Sequence, residues 1–146
     1  MQAEVSFQNR IISRQIGKSR QGRPLSVDLH GDPSHPLRVL IVAGQHGDEP
    51  IARQAACRFS SRQAASLSGN LHAQIALIRD ANPDGAQAGI RHNAAGHDLN
   101  RDHQRLRAVE TRALHRFAHR WQPQLIIDVH TFPARRKTML DRKSVV

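Results

Sequence analysis

Three short apolar runs, each ending in a cluster of hydrogen-bonding side chains, constrain this chain more than any other feature. Arg38-Val39-Leu40-Ile41-Val42-Ala43 stops at Gly44 and is followed by Gln45-His46-Gly47-Asp48-Glu49. Ala73–Ile78 is followed by Asn82-Pro83-Asp84-Gly85, and Leu125–Val129 closes on His130. Continuous runs of this length, rich in β-branched residues, predict strands buried on both faces. An earlier stretch alternates Leu25, Val27 and Leu29 with Ser26, Asp28 and His30, the period of a half-buried strand. Between the runs, a helix is predicted from Pro50 to about Leu67, with Pro in the first position where its missing N–H costs nothing. Ala108–Trp121 repeats Val109, Ala113, Phe117 and Trp121 at helical steps before Pro123 ends the pattern. Strands alternating with helices predict an α/β fold, a mixed, largely parallel sheet flanked by helices. In such sheets ligands bind outside the carboxyl ends of the strands. All three polar clusters fall there.

The 146 residues suit one domain. A single cysteine, Cys57, excludes an internal disulfide framework and any Cys-rich zinc site, so a metal here must be held by carboxylates and some of the ten His residues. No run approaches the ~20 apolar residues of a membrane helix. Met1–Arg10 mixes Glu4, Asn9 and Arg10 into its few apolar residues, unlike a secretory signal, and the expectation leans slightly to a cytoplasmic protein. The formal charge of +10 invites a nucleic-acid reading. Yet the Arg residues are scattered, only Arg135-Arg136-Lys137 forms a dense run, and five dispersed aromatics offer no base-stacking surface. Most of the charge therefore reads as solvated surface. A basic module binding nucleic acid or an acidic partner stands as the alternative.

His46 and Glu49 lie three apart in a Gly-bearing turn that leads into a helix, a spacing that lets both side chains point to one side. His130, at the end of a neighbouring strand, completes a His/Glu/His set, and three protein ligands plus water is the arrangement of a catalytic zinc. Asp128, two residues before His130, points the same way and is placed to orient the imidazole. Spacing alone leaves open that these are ordinary loop residues, with Glu49 merely complementing a helix N-terminus. The long segment from Asp80 to about Arg107 adds Arg91 and Arg101 beside the candidate site. A guanidinium there can grip a carboxylate in two-pronged fashion or stabilise an oxyanion; surface Arg residues without special contacts are the plainer reading.

Taken in order, these motifs resemble the zinc carboxypeptidases of the carboxypeptidase A type. Ile16-Gly17-Lys18-Ser19-Arg20-Gln21-Gly22-Arg23-Pro24 is similar to the family's opening segment. His46-Gly47-Asp48-Glu49-Pro50, Asn82-Pro83-Asp84-Gly85, Arg91-x-Asn93-x-x-Gly96-x-Asp98-Leu99-Asn100-Arg101 and Asp128-Val129-His130 follow in the family's order. The resemblance implies one Zn2+ ion held by His46, Glu49 and His130. It implies that Arg91 polarises the scissile carbonyl, and that Asn100 and Arg101 bind the terminal carboxylate of a peptide or acyl-amino-acid substrate. Zinc-dependent hydrolysis of peptide or amide bonds is the implied activity, with the related acyl-amino-acid deacylases as an alternative. Because the His/Glu/His set is itself the ligand set of carboxypeptidase A, zinc and family are one inference rather than two.

The departures are specific. His97 stands where the motif is often apolar, and Asp102-His103 where many relatives carry an aromatic residue, which implies a divergent branch. The family's substrate-closing Tyr has no counterpart, since the chain has no Tyr. Its general-base Glu has none either: Glu4 precedes the core, Glu49 is a candidate ligand, and Glu110 reads as first-turn helix decoration. Residues 1–140 thus read as the N-terminal part of a catalytic domain, inactive without its base. Asp141-Arg142-Lys143-Ser144-Val145-Val146 reads as a non-native tail, matching one frame of a common sequencing-adapter oligonucleotide, with a genuine polar tail equally compatible with its composition.

Overall fold

The computed structural model describes residues 11–65 and 72–131. Its centre is β3 (Arg38–Ala43), whose alternate side chains enter two separate apolar clusters. Leu40 and Val42 pack with Val27, Ala76, Ile78 and Leu114 on one face, where Phe117 and Trp121 close the cluster. Ala43 packs with Leu77, Ala56 and Phe59 on the other. A strand covered on both sides must be apolar at every position, which is why this run lacks the alternation of a one-sided strand.

Five strands form one mixed sheet in the order β1-β2-β4-β3-β5. Parallel ladders join β3 to β4 (Gln74–Ile78) and to β5 (Leu125–Val129), while β2 (Pro24–His30) runs antiparallel to β4 and to β1 (Ile12–Lys18). The parallel half carries the polar clusters. Helix α1 (Pro50–Ala65) covers one face through Ala56 and Phe59, and α3 (Val109–Trp121) covers the other. Among the described residues no helix is long and apolar enough to cross a membrane. Leu67, Arg135-Arg136-Lys137 and the proposed tail at 141–146 lie outside the described residues.

Three elements differ from the sequence reading. β1 escapes a periodicity search because its side chains are mostly exposed; it is held by pairing with β2 and by Gly17, where a Cβ would come within 2.8 Å of Ala113 Cβ on α3. The Asn82-Pro83-Asp84-Gly85 turn opens a short helix, α2 (Pro83–Ala88). Asn82 Oδ1 accepts the Gly85 N–H at 3.0 Å, Pro83 sits in the first turn, and Gly89 ends the helix at φ 66°. The third correction concerns β5, which is not buried: Leu125, Ile126 and Ile127 are 50%, 58% and 41% exposed. It pairs with β3 on one side only, at the edge of the described sheet, and only its last residue, Val129, packs against the cluster under α1.

Candidate metal centre

Parallel pairing of β3 with β5, in register at Val42 with Asp128 and Ala43 with Val129, brings residues 46 and 130 to the same end of the sheet. The loop between β3 and α1 is then pressed onto α2. A Cβ on Gly47 would lie 2.0 Å from the Gly85 carbonyl carbon, so only glycine permits the approach. The Gly47 N–H donates to Arg91 O at 3.3 Å, and Arg53 donates to Gly47 O at 2.9 Å.

Glu49 lies between the two imidazoles. Its Oε1 is 2.9 Å from His46 Nδ1, its Oε2 is 3.0 Å from His130 Nδ1, and the Thr131 N–H donates to Oε2 at 3.0 Å. One donor atom from each of the three residues falls within 4.8 Å of the others. His46 is 2% exposed, and the His130 side chain 20%. The far nitrogens decide the chemistry. His46 Nε2 lies 3.1 Å from Asp98 Oδ1, and His130 Nε2 lies 2.9 Å from Asp128 Oδ2. A carboxylate only accepts, so Asp98 and Asp128 fix a proton on each Nε2, which leaves each Nδ1 as the atom that can bind a metal beside Glu49. Each Nδ1 faces the Glu49 carboxylate, so the contact needs a cation between them, a proton or a metal ion. The donor set therefore fits a divalent metal, and zinc accepts this mixture of imidazole and carboxylate.

Burial by itself would lower the His130 pKa, but Asp128 and Glu49 outweigh it and raise it. Burial would raise Glu49, yet hydrogen bonds from His46, the Thr131 N–H and His130 bring it down. Asp98 is also pushed up by burial, but His46 and Arg91 overcome that and hold it at about 2. These carboxyl groups are anionic at neutral pH.

Arg91 and Arg101 meet on Asp98, their Nε atoms 3.0 and 3.3 Å from Oδ2. Asn100 is exposed in the 3-10 turn Leu99–Arg101, beside these groups but outside the imidazole–carboxylate network. Asp98, quoted only as part of a motif in the sequence reading, proves to be the hub that ties His46 to both guanidinium groups. Its position inside that motif was the available signal. Gln45, which donates to Asp128 Oδ2 at 2.8 Å, carried no signal beyond its place at a strand end. Glu110 corrects another expectation. It is fully buried, accepting the Arg20 N–H at 2.8 Å and Asn93 Nδ2 at 2.9 Å. Asn93 Oδ1 in turn accepts the N–H groups of Ala95 and His97, so Glu110 anchors the loop that carries Arg91 and Asp98.

A mixed sheet with a His/Glu/His set at its carboxyl ends defines an α/β protein with a candidate metal centre. The zinc carboxypeptidase family model matches residues 2–135, and the chain belongs to that family. It is similar to carboxypeptidase 2 of Trichophyton tonsurans, 33% identical over 109 residues, which cover 70% of this chain and 20% of that protein. The structure of a metallo-carboxypeptidase from Burkholderia cenocepacia superposes with a TM-score of 0.78 at 26% identity, over 88% of this chain and 38% of the other. A metallo-carboxypeptidase from Pseudomonas aeruginosa, in complex with (2-guanidinoethylmercapto)succinic acid, gives a TM-score of 0.74 at 27% identity, over 82% and 35%. The chain thus spans well under half the length of these relatives.

Proposed function

We propose that this chain supplies the metal-binding part, and a portion of the substrate-binding part, of a zinc-dependent hydrolase that cleaves an amide bond near a free carboxylate. The observation that carries the reading is the convergence of His46, Glu49 and His130, from two strand ends far apart in sequence, with both imidazole Nδ1 atoms facing one carboxylate. His46, Glu49 and His130 would hold zinc, which when bound acidifies a water molecule and polarises a carbonyl. Asp98 and Asp128 keep the two rings in the ligating tautomer. In this reading Arg91 leaves part of its contact with Asp98 to stabilise the carbonyl oxygen as it gains negative charge. Arg101, with Asn100 beside it, binds the substrate carboxylate in two-pronged fashion.

Among the described residues the three carboxylates of the network have assigned partners: Glu49 and Asp128 on imidazoles, Asp98 on His46 and two Arg residues. None of these three is left to accept a proton from water. This chain alone should therefore bind zinc and turn over peptide or acyl-amino-acid substrates very slowly. Calorimetry with zinc tests the reading: one ion per chain is expected, lost in His46→Ala and in His130→Ala. Salt-sensitive DNA binding with no metal uptake would instead favour the basic-module alternative. Against that alternative, Arg23, Arg79, Arg91 and Arg101 are engaged by Asp84, Asp28 and Asp98 within the chain.

A further inference from the structure

Two histidines that the hydrolytic reading does not use stand together beside α3. His103, in the segment before the helix, and His115, on it, bring Nδ1 and Nε2 to 3.0 Å, with ring planes 31° apart. The other nitrogen of His103, Nε2, lies 2.8 Å from Gln45 Oε1. The orientation of that amide is set independently, because its Nε2 donates to Asp128 Oδ2 at 2.8 Å and a carboxylate cannot donate back. Gln45 therefore presents an acceptor, which puts the proton on His103 Nε2 and leaves a lone pair on Nδ1. Metal-ligating imidazoles are commonly supported in this way, the far N–H tied to an oxygen that fixes tautomer and ring. Gln45 is 2% exposed, so the support is rigid, whereas His115 is exposed and its ring is free to turn.

We propose that His103 Nδ1 and His115 Nε2 form a second metal site, distinct from the His46/Glu49/His130 centre, for a late first-row divalent cation such as Cu2+. With metal–nitrogen bonds of about 2.0–2.1 Å, ligands at right angles stand about 2.9 Å apart and tetrahedral ones about 3.4 Å. The observed 3.0 Å matches neighbouring positions on a tetragonal ion. His119 lies one helical turn further along α3, on the same side as His115 and also exposed. Water fills the remaining positions.

Titration of the zinc-loaded protein with Cu2+, followed by electron paramagnetic resonance and metal analysis, tests the site. One nitrogen-coordinated Cu2+ per chain is expected with the zinc retained. His103→Gln and His115→Gln should each weaken Cu2+ binding at least tenfold and leave zinc content unchanged. Unchanged Cu2+ affinity in both variants, or Cu2+ uptake only as zinc is lost, overturns the proposal. Circular dichroism checks folding, and if His103→Gln disturbs it, the exposed His115→Gln decides.

Discussion

Replacing Glu110 tests how the loop that carries Arg91 and Asp98 is held. The side chain is fully buried and spans two segments, accepting the Arg20 N–H at 2.8 Å and Asn93 Nδ2 at 2.9 Å. A hydrogen bond to a charged group contributes about 1.5–3 kcal/mol, and a buried donor left without a partner forfeits that and its hydration. Two such bonds put Glu110→Ala at a loss of about 3–5 kcal/mol, a large part of the ~5–15 kcal/mol that holds a domain together. Glu110→Gln keeps the volume but sets an NH2 against one of the two donors, for a loss of about 2–3 kcal/mol. Urea denaturation in the presence of a chelator, so that zinc binding does not add to the apparent stability, measures both. A cycle with Asn93→Ala isolates the pair, and a coupling above about 1 kcal/mol is expected because the groups are in direct contact. A loss under 1 kcal/mol for Glu110→Ala, or strict additivity in the cycle, would show that the loop does not depend on this carboxylate.

Gly47→Ala should destabilise by at least about 3 kcal/mol, at the upper end for overpacking, because its Cβ would meet backbone of Gly85 rather than a movable side chain; thermal denaturation reads the loss. Ile126→Lys should cost no more than about 0.5 kcal/mol, whereas Leu40→Ala at the sheet centre should cost about 2–5 kcal/mol, a contrast that checks the edge position of β5 in chemical denaturation. Asp128→Asn should weaken zinc binding about 10–100-fold in calorimetry, since it removes the charge that fixes the His130 tautomer. Asp84 and Asp102 titrate below their ordinary range. Burial raises both, but Ser19, the Gln21 N–H and Arg23 overcome it at Asp84, and the Ala108 and Arg107 N–H groups at Asp102. Their stabilisation is therefore complete above about pH 4, the unfolded carboxyl range, and is lost as pH falls through the lower folded values; a flat acid limb in pH-dependent melting would contradict it.

What was legible in the sequence follows from how many residues each signal averages over. β3 and α3 were found because burial imposes a pattern on every position, and the three donor residues because their chemistry is uncommon at strand ends. β1 has no such pattern: pairing with β2 holds it in place, and backbone pairing leaves little trace in side-chain type. The same limit explains β5. An apolar run states that a segment can be covered, and burial depends on what lies beside it, which is a property of sheet order. Glu110 was misread for the opposite reason. A carboxylate in a first helical turn usually faces water and complements the helix dipole, and only the approach of Arg20 and Asn93, remote in sequence, makes it a buried anchor.

Sheet order also explains why the donors meet where they do. The chain leaves β3 through α1 and returns on β4 to one side; it then leaves β4 through α2 and α3 and returns on β5 to the other side. The two connections diverge in sheet order at the carboxyl end of β3, the kind of switch point at which ligands bind in such sheets. His46 and Glu49 enter from the first connection, Arg91, Asp98 and Arg101 from the second, and His130 from the strand that closes the far side. The glycine contact between residues 47 and 85 draws the first connection down onto the second. Without that close approach, His46 would stand away from Asp98, and its ring would lose the partner that holds Nδ1 toward Glu49. The approach of Gly47 to α2 is therefore one of the contacts that set His46 against Asp98, alongside the β3–β5 register that aligns residues 46 and 130 and the Glu110 anchor of the loop that carries Arg91 and Asp98.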